Sequence, residues 1–314
     1  VSIGGVWSLC APDMGTHAVL DRFRQIAPKV LIAADGVTYG GRDIDRMDVL
    51  AELAVEAGSP AIEPLGKQAW RFLDAKADTR ETIAQYCREL ECDWAFVPAG
   101  ITLEHFGLWM TDMDSTLIQI ECIDEIAGLL GIKDKVSAIT ERSMAGELDF
   151  TQSLRERVAL LAGLKESTLK TVYDKKVKLT PGARELIAAC QAKGVKIGLI
   201  SGGFTHFTNR LKEELGLDYA IANTLEVVHG RLTGQVKGPV IDAQAKADWL
   251  VKLRNELGLR QDQVIATGDG ANDLQMLAAA GVGIAFHAKP VVRYQAHVAL
   301  TYSGLDGVLN LFAD

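Results

Sequence analysis

The sequence predicts an α/β protein with a doubly wound parallel sheet, a helical cap insert and a small N-terminal α+β domain. From residue 181 onward, predicted strands and helices alternate, which is typical of a parallel sheet with helices on both faces. Three short apolar segments, at 108–111, 195–200 and 264–267, end abruptly in polar residues. Buried parallel strands have this pattern because their carboxyl ends leave the core at the edge of the sheet where ligands bind.

The first 104 residues precede these strands, and we expect them to form the small α+β domain. We predict strands at 6–10, 30–34 and 94–97 and helices at 17–26, 44–57 and 79–90. Pro98 and Gly100 mark the boundary with the second domain, residues 105–314. The segment 11–15 resembles the ligand loop of an ACT domain, although a domain that binds no ligand explains this short segment equally well.

Residues 124–178 are predicted to form the helical cap, which interrupts the second domain. Apolar residues recur at helical spacing in two stretches, at 123–130 and 154–161. Glycines separate the periodic stretches, as expected of loops between short helices. The segment 180–182, Thr-Pro-Gly, then begins a helix that returns the chain to the sheet.

Two acidic residues, Asp112 and Asp114, follow the first of the three predicted strands. We expect the chain to turn there, so that the two carboxylates flank one site from different sides. Neighbouring carboxylates repel each other and need a metal ion or a cationic substrate beside them. A solvated loop after a core strand has the same pattern, so the pair carries weight only together with the other strand ends.

The second strand ends in Ser201-Gly202-Gly203. A hydroxyl followed by two glycines lets backbone N–H groups approach an anion such as phosphate, although an ordinary strand-to-helix turn is the alternative. Lys246 lies near the start of a predicted helix at 243–257, where its charge opposes the helix dipole. A bound phosphate would explain that position, and a solvated lysine is the simpler alternative.

The third strand ends in the segment 268–273, Gly-Asp-Gly-Ala-Asn-Asp, which precedes a predicted helix. Asp269, Asp273 and the amide of Asn272 offer the oxygen ligands that a hard cation such as Mg²⁺ prefers. Capping the helix would require only one such residue. Three of them within five residues therefore favour a metal site.

In chain order, the strand ends and the lysine read Asp-x-Asp-x-Thr, Ser-Gly-Gly, Lys and Gly-Asp-Gly-x-Asn-Asp. This set resembles the four motifs of the haloacid dehalogenase (HAD) superfamily of phosphohydrolases, over roughly two thirds of the chain from residue 108. Within it, the segments 112–125, 144–150 and 153–158 are similar to the phosphoserine phosphatase family. The resemblance implies a HAD-like fold and Mg²⁺-dependent hydrolysis of O-phospho-L-serine through an aspartyl-phosphate, the last step of serine biosynthesis.

The resemblance also implies roles for individual residues. Asp112 would be the nucleophile, and Asp114 would be the general acid and then the general base. The Mg²⁺ site would be formed by Asp112, the backbone carbonyl of Asp114, Asp269 and Asp273. The phosphoryl group would be bound by Ser201, Gly202 and Lys246, and Asn272 would position Asp269 or touch the substrate.

In and beside the cap, the resemblance assigns substrate binding to Glu121, Met144, Phe150 and Arg157. Phosphoserine carries an ammonium group, which Glu121 would bind, and a carboxylate, which Arg157 would bind through two parallel hydrogen bonds. Met144 and Phe150 would form walls that exclude water. Without the resemblance, an arginine in a charged helix is usually solvated, and Met and Phe are usually core residues.

Two other functions stay open at this point. A HAD phosphatase or phosphotransferase that acts on another small phospho-metabolite would share the four motifs. A regulatory protein whose N-terminal domain senses an amino acid is the second alternative, although an intact catalytic set argues against it as the main role.

Composition limits the class of protein. The 314 residues carry a formal net charge of −8 and no basic cluster, which argues against nucleic acid as a partner. No apolar segment reaches the roughly 18 residues that cross a bilayer, and the first residues, from Val1, lack a signal pattern. The five cysteines have no metal-binding spacing, and their odd number favours reduced thiols. We expect a cytoplasmic enzyme that acts on a small-molecule substrate. The sequence leaves open whether the protein forms a homodimer and whether the natural N-terminus is present.

Overall fold

The computed structural model of the protein describes residues 53–65, 69–98 and 100–312, together with strands at 30–33, 36–39 and 42–45. The strand predicted at 6–10, the helix predicted at 17–26 and the ACT-like segment 11–15 lie outside these residues.

Strands in the described part of the N-terminal region are antiparallel. They are β1 (Val30–Ala33), β2 (Gly36–Tyr39), β3 (Arg42–Asp45), β4 (Ala61–Pro64), β5 (Trp70–Leu73) and β6 (Trp94–Val97). β2 and β3 pair only with each other among the described strands, whereas the other four lie side by side in the order β6-β1-β5-β4. Helix α1 (Arg80–Glu89) packs on this sheet, with Ile83 and Cys87 buried beside Phe72.

The strand prediction at 94–97 and the helix prediction at 79–90 are confirmed, as is the strand at 30–34 over 30–33. The helix predicted at 44–57 is wrong at its start, because residues 44 and 45 belong to β3. Residues 53–56 are helical. The residues between β2 and β3 are Gly40 and Gly41, and a Gly-Gly pair is typical of a β-hairpin turn. Residues 42–45 therefore pair with β2 instead of starting the predicted helix.

The second half of the chain forms a mostly parallel sheet. Its strands are β7 (Leu108–Thr111), β8 (Lys196–Phe204), β9 (Tyr219–Val228), β10 (Arg231–Lys237), β11 (Val264–Gly268), β12 (Val282–Phe286) and β13 (Val298–Leu300). The order across the sheet is β10-β9-β8-β7-β11-β12-β13, and only β10 is antiparallel to its neighbour within this half. β7, β11 and β12 are buried at every position, as expected of strands covered on both faces.

Alternate residues of β7 serve two separate cores. Trp109 belongs to the apolar cluster on one face of the sheet, and Leu108 and Met110 belong to the cluster on the other face. Successive side chains of a strand point to opposite faces, so a continuous apolar segment supplies both cores. The prediction of a doubly wound sheet is confirmed by this arrangement.

Helices follow the strands or form the cap. The cap contains α2 (Cys122–Leu129), α3 (Lys133–Met144), α4 (Phe150–Ala159) and α5 (Ser167–Lys176). The sheet is covered by α6 (Ala183–Ala192), α7 (Thr205–Leu215), α8 (Ala243–Glu256), α9 (Leu274–Ala279), α10 (Pro290–Gln295) and α11 (Gly307–Leu311). α4 begins at a capping box in which Asp149 and Gln152 bind each other's backbone N–H groups, which fixes the start of this helix.

The two halves of the sheet are continuous. β6 pairs with β13 in the antiparallel direction at Trp94 and Ala299, so eleven of the strands described lie in one sheet. Among the residues described, no helix has both the length and the apolar character to cross a membrane. The four cysteines of the described ranges are buried and form no disulfide with one another.

Candidate active site

Three neighbouring strand ends bring the predicted acidic and hydroxyl residues together. β7 pairs in parallel with both β8 and β11, so the carboxyl ends of the three strands meet at one edge. Asp112 follows β7, Ser201 lies near the end of β8 and Asp269 follows β11. The Asp112 N–H donates to the Thr267 carbonyl at 2.9 Å, which extends the β7–β11 ladder to the aspartate itself.

The chain turns directly after Asp112, as predicted. Residues Met113–Leu117 form an irregular helical turn in which Ser115 has a positive φ of 57°. The turn directs the Asp114 side chain back toward the strand ends. Its Oδ1 accepts a hydrogen bond from the Cys122 N–H at 2.9 Å, and its Oδ2 lies 3.4 Å from the Ser201 hydroxyl oxygen. Burial raises the pKa of Asp114, and the Cys122 hydrogen bond offsets part of this rise.

Lys246 is buried behind these residues, with 1% of its surface exposed. Its ammonium group donates to Asp112 Oδ1 and to Asp273 Oδ1, both at 2.7 Å. Burial alone would lower the pKa of Lys246, but the two carboxylates outweigh it and the pKa is raised. The lysine therefore stays charged and orients Asp112.

The three carboxylates of Asp112, Asp269 and Asp273 form a compact acidic cluster. One oxygen of each lies within 4.8 Å of the others. Burial and the repulsion of Asp273 raise the pKa of Asp112, and the same two causes raise the pKa of Asp269 to about 6. Against three carboxylates, Lys246 supplies one positive charge. The excess negative charge and the oxygen donor set fit a hard divalent cation, so these residues could hold a metal ion.

Hydrogen bonds occupy some of these oxygens and leave others available. Asp273 Oδ1 accepts from Lys246, and its Oδ2 accepts from the Gly270 N–H at 3.0 Å. Asp269 Oδ1 accepts from the Thr116 hydroxyl at 3.0 Å. Among the residues described, Asp112 Oδ2 and Asp269 Oδ2 accept no hydrogen bond. These two oxygens are therefore the ones best placed to bind a cation, with Asp273 behind them.

A cavity of about 130 Å³ opens above the acidic cluster. It is lined by nine of the predicted residues, Asp112, Asp114, Glu121, Phe150, Arg157, Ser201, Gly202, Asp269 and Asn272, and also by Ile123, Leu154, Gly203 and Phe204. We call this cavity the catalytic pocket. Lys246 and Asp273 are buried and do not line the pocket, and Lys246 joins Asp273 to Asp112 through one ion pair with each. Met144 ends α3, and its side chain lies outside the described part of the structure.

The cap forms the wall of the catalytic pocket. Phe150 lies over the Ser-Gly-Gly tip so closely that a Cβ on Gly202 would approach its ring to 2.8 Å. Glu121 accepts a hydrogen bond from the Ser115 hydroxyl at 2.7 Å. Loss of solvent and the nearby Asp114 raise the pKa of Glu121 to about 7, and Arg157 opposes this rise. Burial lowers the pKa of Arg157, because the guanidinium loses part of its hydration in the pocket wall.

Three residues that organise the pocket are not among those predicted from the sequence. Thr116 binds Asp269, Ser115 binds Glu121, and Asn223 binds the Gly202 carbonyl at 2.8 Å. Thr116 stands within the Asp-x-Asp-x-Thr motif, so a role for its hydroxyl could have been predicted. Asn223 belongs to β9, and nothing in its local sequence indicates a contact with residue 202.

Comparison with known proteins places this geometry in a family. The phosphoserine phosphatase of Vibrio cholerae is 50% identical over 226 residues, which cover 72% of this chain and 69% of that protein. The crystal structure of a probable phosphoserine phosphatase from Vibrio cholerae has a TM-score of 0.76 at 39% identity, over 94% of this chain and 92% of that chain. A solved phospho-aspartyl intermediate analogue of phosphoserine phosphatase has a TM-score of 0.61 at 41% identity, over 65% of this chain and 97% of that chain.

The family itself is matched over the segment that carries the site. Residues 110–278, more than half of the chain, match the haloacid dehalogenase-like hydrolases. This segment begins within β7 and ends within α9, so it contains the acidic cluster, the cap and the lysine. The chain therefore belongs to the haloacid dehalogenase-like hydrolase family.

Proposed function

We propose that the protein hydrolyses O-phospho-L-serine to L-serine and inorganic phosphate. The observation that supports this most strongly is the composition of the catalytic pocket. Asp112, Asp114 and Ser201 lie at the sheet edge, and Glu121 and Arg157 line the same pocket from the start of α2 and from α4. The pocket thus offers separate groups for a phosphate, an ammonium and a carboxylate. The relatives named phosphoserine phosphatase support the same substrate.

Recognition of the serine moiety follows from charge. Partial desolvation and the nearby Asp114 raise the pKa of Glu121, although the residue keeps an exposed surface. The substrate ammonium would supply a second positive charge beside this carboxylate, in addition to Arg157. Arg157 would bind the substrate carboxylate through its planar guanidinium. Phe150 would close the pocket over the Ser-Gly-Gly tip and exclude water.

In the first step, Asp112 attacks phosphorus and the bond from phosphorus to the serine oxygen breaks. Lys246 holds Asp112 Oδ1 at 2.7 Å, which fixes the orientation of the attacking carboxylate. Asp114 Oδ1 is held by the Cys122 N–H, so Oδ2, which lies 3.4 Å from the Ser201 hydroxyl oxygen, would face the leaving group. Its raised pKa lets Asp114 donate a proton to the serine oxygen as that oxygen departs.

In the second step, a water molecule attacks the phosphorus of the aspartyl-phosphate. Asp114, now ionised, accepts a proton from that water, and the bond between Asp112 and phosphorus breaks to release phosphate. The carboxylate of Asp112 and the protonated Asp114 are restored. Ser201 and the backbone of Gly202 would stabilise the charge on the phosphoryl oxygens through both steps.

The metal ion of this site is proposed to be Mg²⁺. Asp112, Asp269 and the backbone carbonyl of Asp114 would hold it, with Asp273 beside them. These are oxygen ligands, which suit a hard cation. When bound, the ion offsets the repulsion between the carboxylate of Asp112 and an anionic phosphate.

Three further proposals concern the whole protein. We infer a cytoplasmic location, which agrees with the four described cysteines being buried without a disulfide. The domain division at residue 104 stays a prediction, as does the cap boundary at about 124–178. A homodimer also stays a prediction, which light scattering on the purified protein would test.

The function is tested by phosphate release across a panel of phospho-metabolites, with and without Mg²⁺. We expect phosphoserine to give the highest kcat/KM in the panel, and activity to disappear when a chelator removes the metal. Higher kcat/KM for a phosphate ester that lacks an amino-acid group would contradict the substrate. Transfer of phosphate to a second alcohol in place of water would identify a phosphotransferase instead.

A further inference from the structure

β8 leaves register with β9 at the phosphate-binding tip. The paired residues on either side of the irregularity are Ile200 with Ile221 and Phe204 with Asn223. Residues 201–203 of β8 therefore face a single residue of β9. A bulge of this kind removes backbone groups from the ladder and directs them elsewhere, which suits a site where they must meet a ligand.

The side chain of Asn223 compensates for the interrupted ladder. Its Nδ2 donates to the Gly202 carbonyl at 2.8 Å, and its Oδ1 accepts from the Ile241 N–H at 2.8 Å. Asn223 is 1% exposed, so water does not compete for either bond. The two partners fix which amide atom is nitrogen and which is oxygen, because one is an acceptor and the other a donor.

The first bond controls the position of Ser201. The peptide unit between Gly202 and Gly203 presents its carbonyl to Asn223 and its N–H to the Ser201 hydroxyl oxygen, at 2.8 Å. The peptide is planar and trans, so the carbonyl and the N–H point in opposite directions. Holding the carbonyl therefore fixes the N–H that holds Ser201.

The second bond holds the segment that leads into the helix carrying Lys246. Ile241 directly precedes Asp242, which caps α8 by accepting a hydrogen bond from the Ala245 N–H at 2.8 Å. Lys246 lies in the first turn of that helix. Asn223 thus joins the start of the segment that carries the lysine to the tip that carries the serine.

We propose that Asn223 is a positioning residue that holds the proposed phosphate-binding segment, Ser201–Gly203, at a fixed separation from the start of α8, which carries Lys246. It touches neither the substrate nor the reacting atoms, and it acts through Ser201 and Lys246. The inference rests on the proposed function in one respect, since it assumes that Ser201–Gly203 binds a phosphoryl group.

The test compares N223A and N223S with Q191A as a matched control. Alanine removes both hydrogen bonds, and serine is too short to reach both partners. Gln191 is also an amide that holds backbone carbonyls, those of Leu215 and Gly216 at 3.1 Å, but it lies outside the catalytic pocket. Binding of inorganic phosphate is measured by calorimetry in saturating Mg²⁺, alongside kcat and KM for phosphoserine and the melting temperature.

We expect both Asn223 variants to lose about tenfold in phosphate affinity and in kcat/KM, because a buried carbonyl and a buried N–H lose their partners. Q191A should stay within about twofold of wild type in phosphate affinity, whatever its melting temperature. If N223A does not fold, N223S decides the question, since it keeps a polar atom in the strand.

Phosphate affinity unchanged in the folded Asn223 variants would overturn the inference, even if their melting temperature falls, since that result assigns the residue to stability alone. Failure of the proposed function looks different. Wild-type protein that binds phosphate yet does not hydrolyse phosphoserine would contradict the substrate and leave the comparison of phosphate affinities fully informative about Asn223.

Discussion

The carboxylate of Asp93 accepts two hydrogen bonds from Ser303, one from its backbone N–H and one from its hydroxyl, each 2.8 Å long. It also accepts from the N–H groups of Thr301 at 2.6 Å and Tyr302 at 3.1 Å. Asp93 directly precedes β6, and the three donors directly follow β13. These hydrogen bonds therefore lie beside the place where strand β6 of the N-terminal region pairs with β13 of the mostly parallel sheet.

Asp93→Asn should destabilise the protein. An amide nitrogen would face N–H donors in place of a carboxylate oxygen, so at least one donor loses its acceptor. We expect the free energy of unfolding to fall by about 2 kcal/mol in a denaturant titration. Asp78→Asn is the control, because Asp78 is exposed in the same half of the chain. Equal free energies of unfolding for the two variants would show that the hydrogen bonds of Asp93 contribute nothing to stability.

Asp112→Asn should abolish turnover while the fold is kept. The amide is nearly isosteric and can still accept a hydrogen bond from Lys246, but it is not a nucleophile. We expect kcat for phosphoserine to fall by more than about 1000-fold, measured by phosphate release, with an unchanged circular dichroism spectrum. Turnover within about tenfold of wild type would remove Asp112 from the nucleophile role.

Asp269→Asn should weaken metal binding. One anionic ligand is lost from the acidic cluster, so we expect Mg²⁺ affinity to fall by at least about tenfold in calorimetry and in the metal dependence of activity. Asp262→Asn is the control. Asp262 precedes β11 whereas Asp269 follows it, so the two carboxylates lie at opposite ends of one strand. An unchanged metal titration for Asp269→Asn would reduce that residue to a structural role.

Arg157→Ala should separate specificity from chemistry. A charge-assisted, partly desolvated contact with the substrate carboxylate is worth about 2–4 kcal/mol, or roughly 30- to 1000-fold in kcat/KM toward phosphoserine. A small aryl phosphate has no carboxylate to lose, so its hydrolysis should fall far less. Arg155→Ala is the matched control, because Arg155 is exposed on the same helix.

The ratio between the two substrates decides the role of Arg157. An equal decline for phosphoserine and the aryl phosphate means that Arg157 acts on the phosphate or on the structure of the cap. No decline for either substrate means that other residues read the serine moiety, and the proposed substrate then loses its main support in the cap.

His297 should make the protein acid-sensitive. Its Nδ1 accepts a hydrogen bond from the Gly283 N–H at 2.8 Å, which requires the neutral ring. Burial lowers the pKa of His297 to about 4. An unfolded histidine has a pKa of about 6.5, so between pH 6.5 and 4 the unfolded chain binds a proton that the folded protein does not. The contribution is therefore complete above about pH 6.5 and is lost as the pH falls, by up to about 3 kcal/mol.

The measurement is the free energy of unfolding of wild type and His297→Asn across this pH range. Asparagine keeps an acceptor near the Gly283 N–H but does not titrate, so its stability should decline less steeply between pH 6.5 and 4. His229→Asn, at an exposed position, should retain the wild-type slope. Parallel curves for wild type and His297→Asn would exclude His297 as the acid-sensitive group.

Local sequence determined most of the chemistry at the strand ends. Asp112, Ser201 and Asp269 each follow or end a short apolar segment, and buried parallel strands deliver such residues to the same edge. The signal is local because apolar runs and polar tips are properties of adjacent residues. Helix α1 could be predicted for the same reason. The strand β3 could not, because its residues have a helical pattern locally and become a strand only by pairing with β2.

Only the tertiary structure decided how these residues are connected. Lys246 reaches Asp112 across 134 positions of the chain, and Asn223 reaches both Gly202 and Ile241. The bridge from β6 to β13 likewise joins segments that are about two hundred residues apart, as the Asp93–Ser303 contact shows with a separation of 210. The physical reason is that a hydrogen bond between distant residues depends on how whole strands and helices pack. No property of either residue's neighbours in the sequence records that packing.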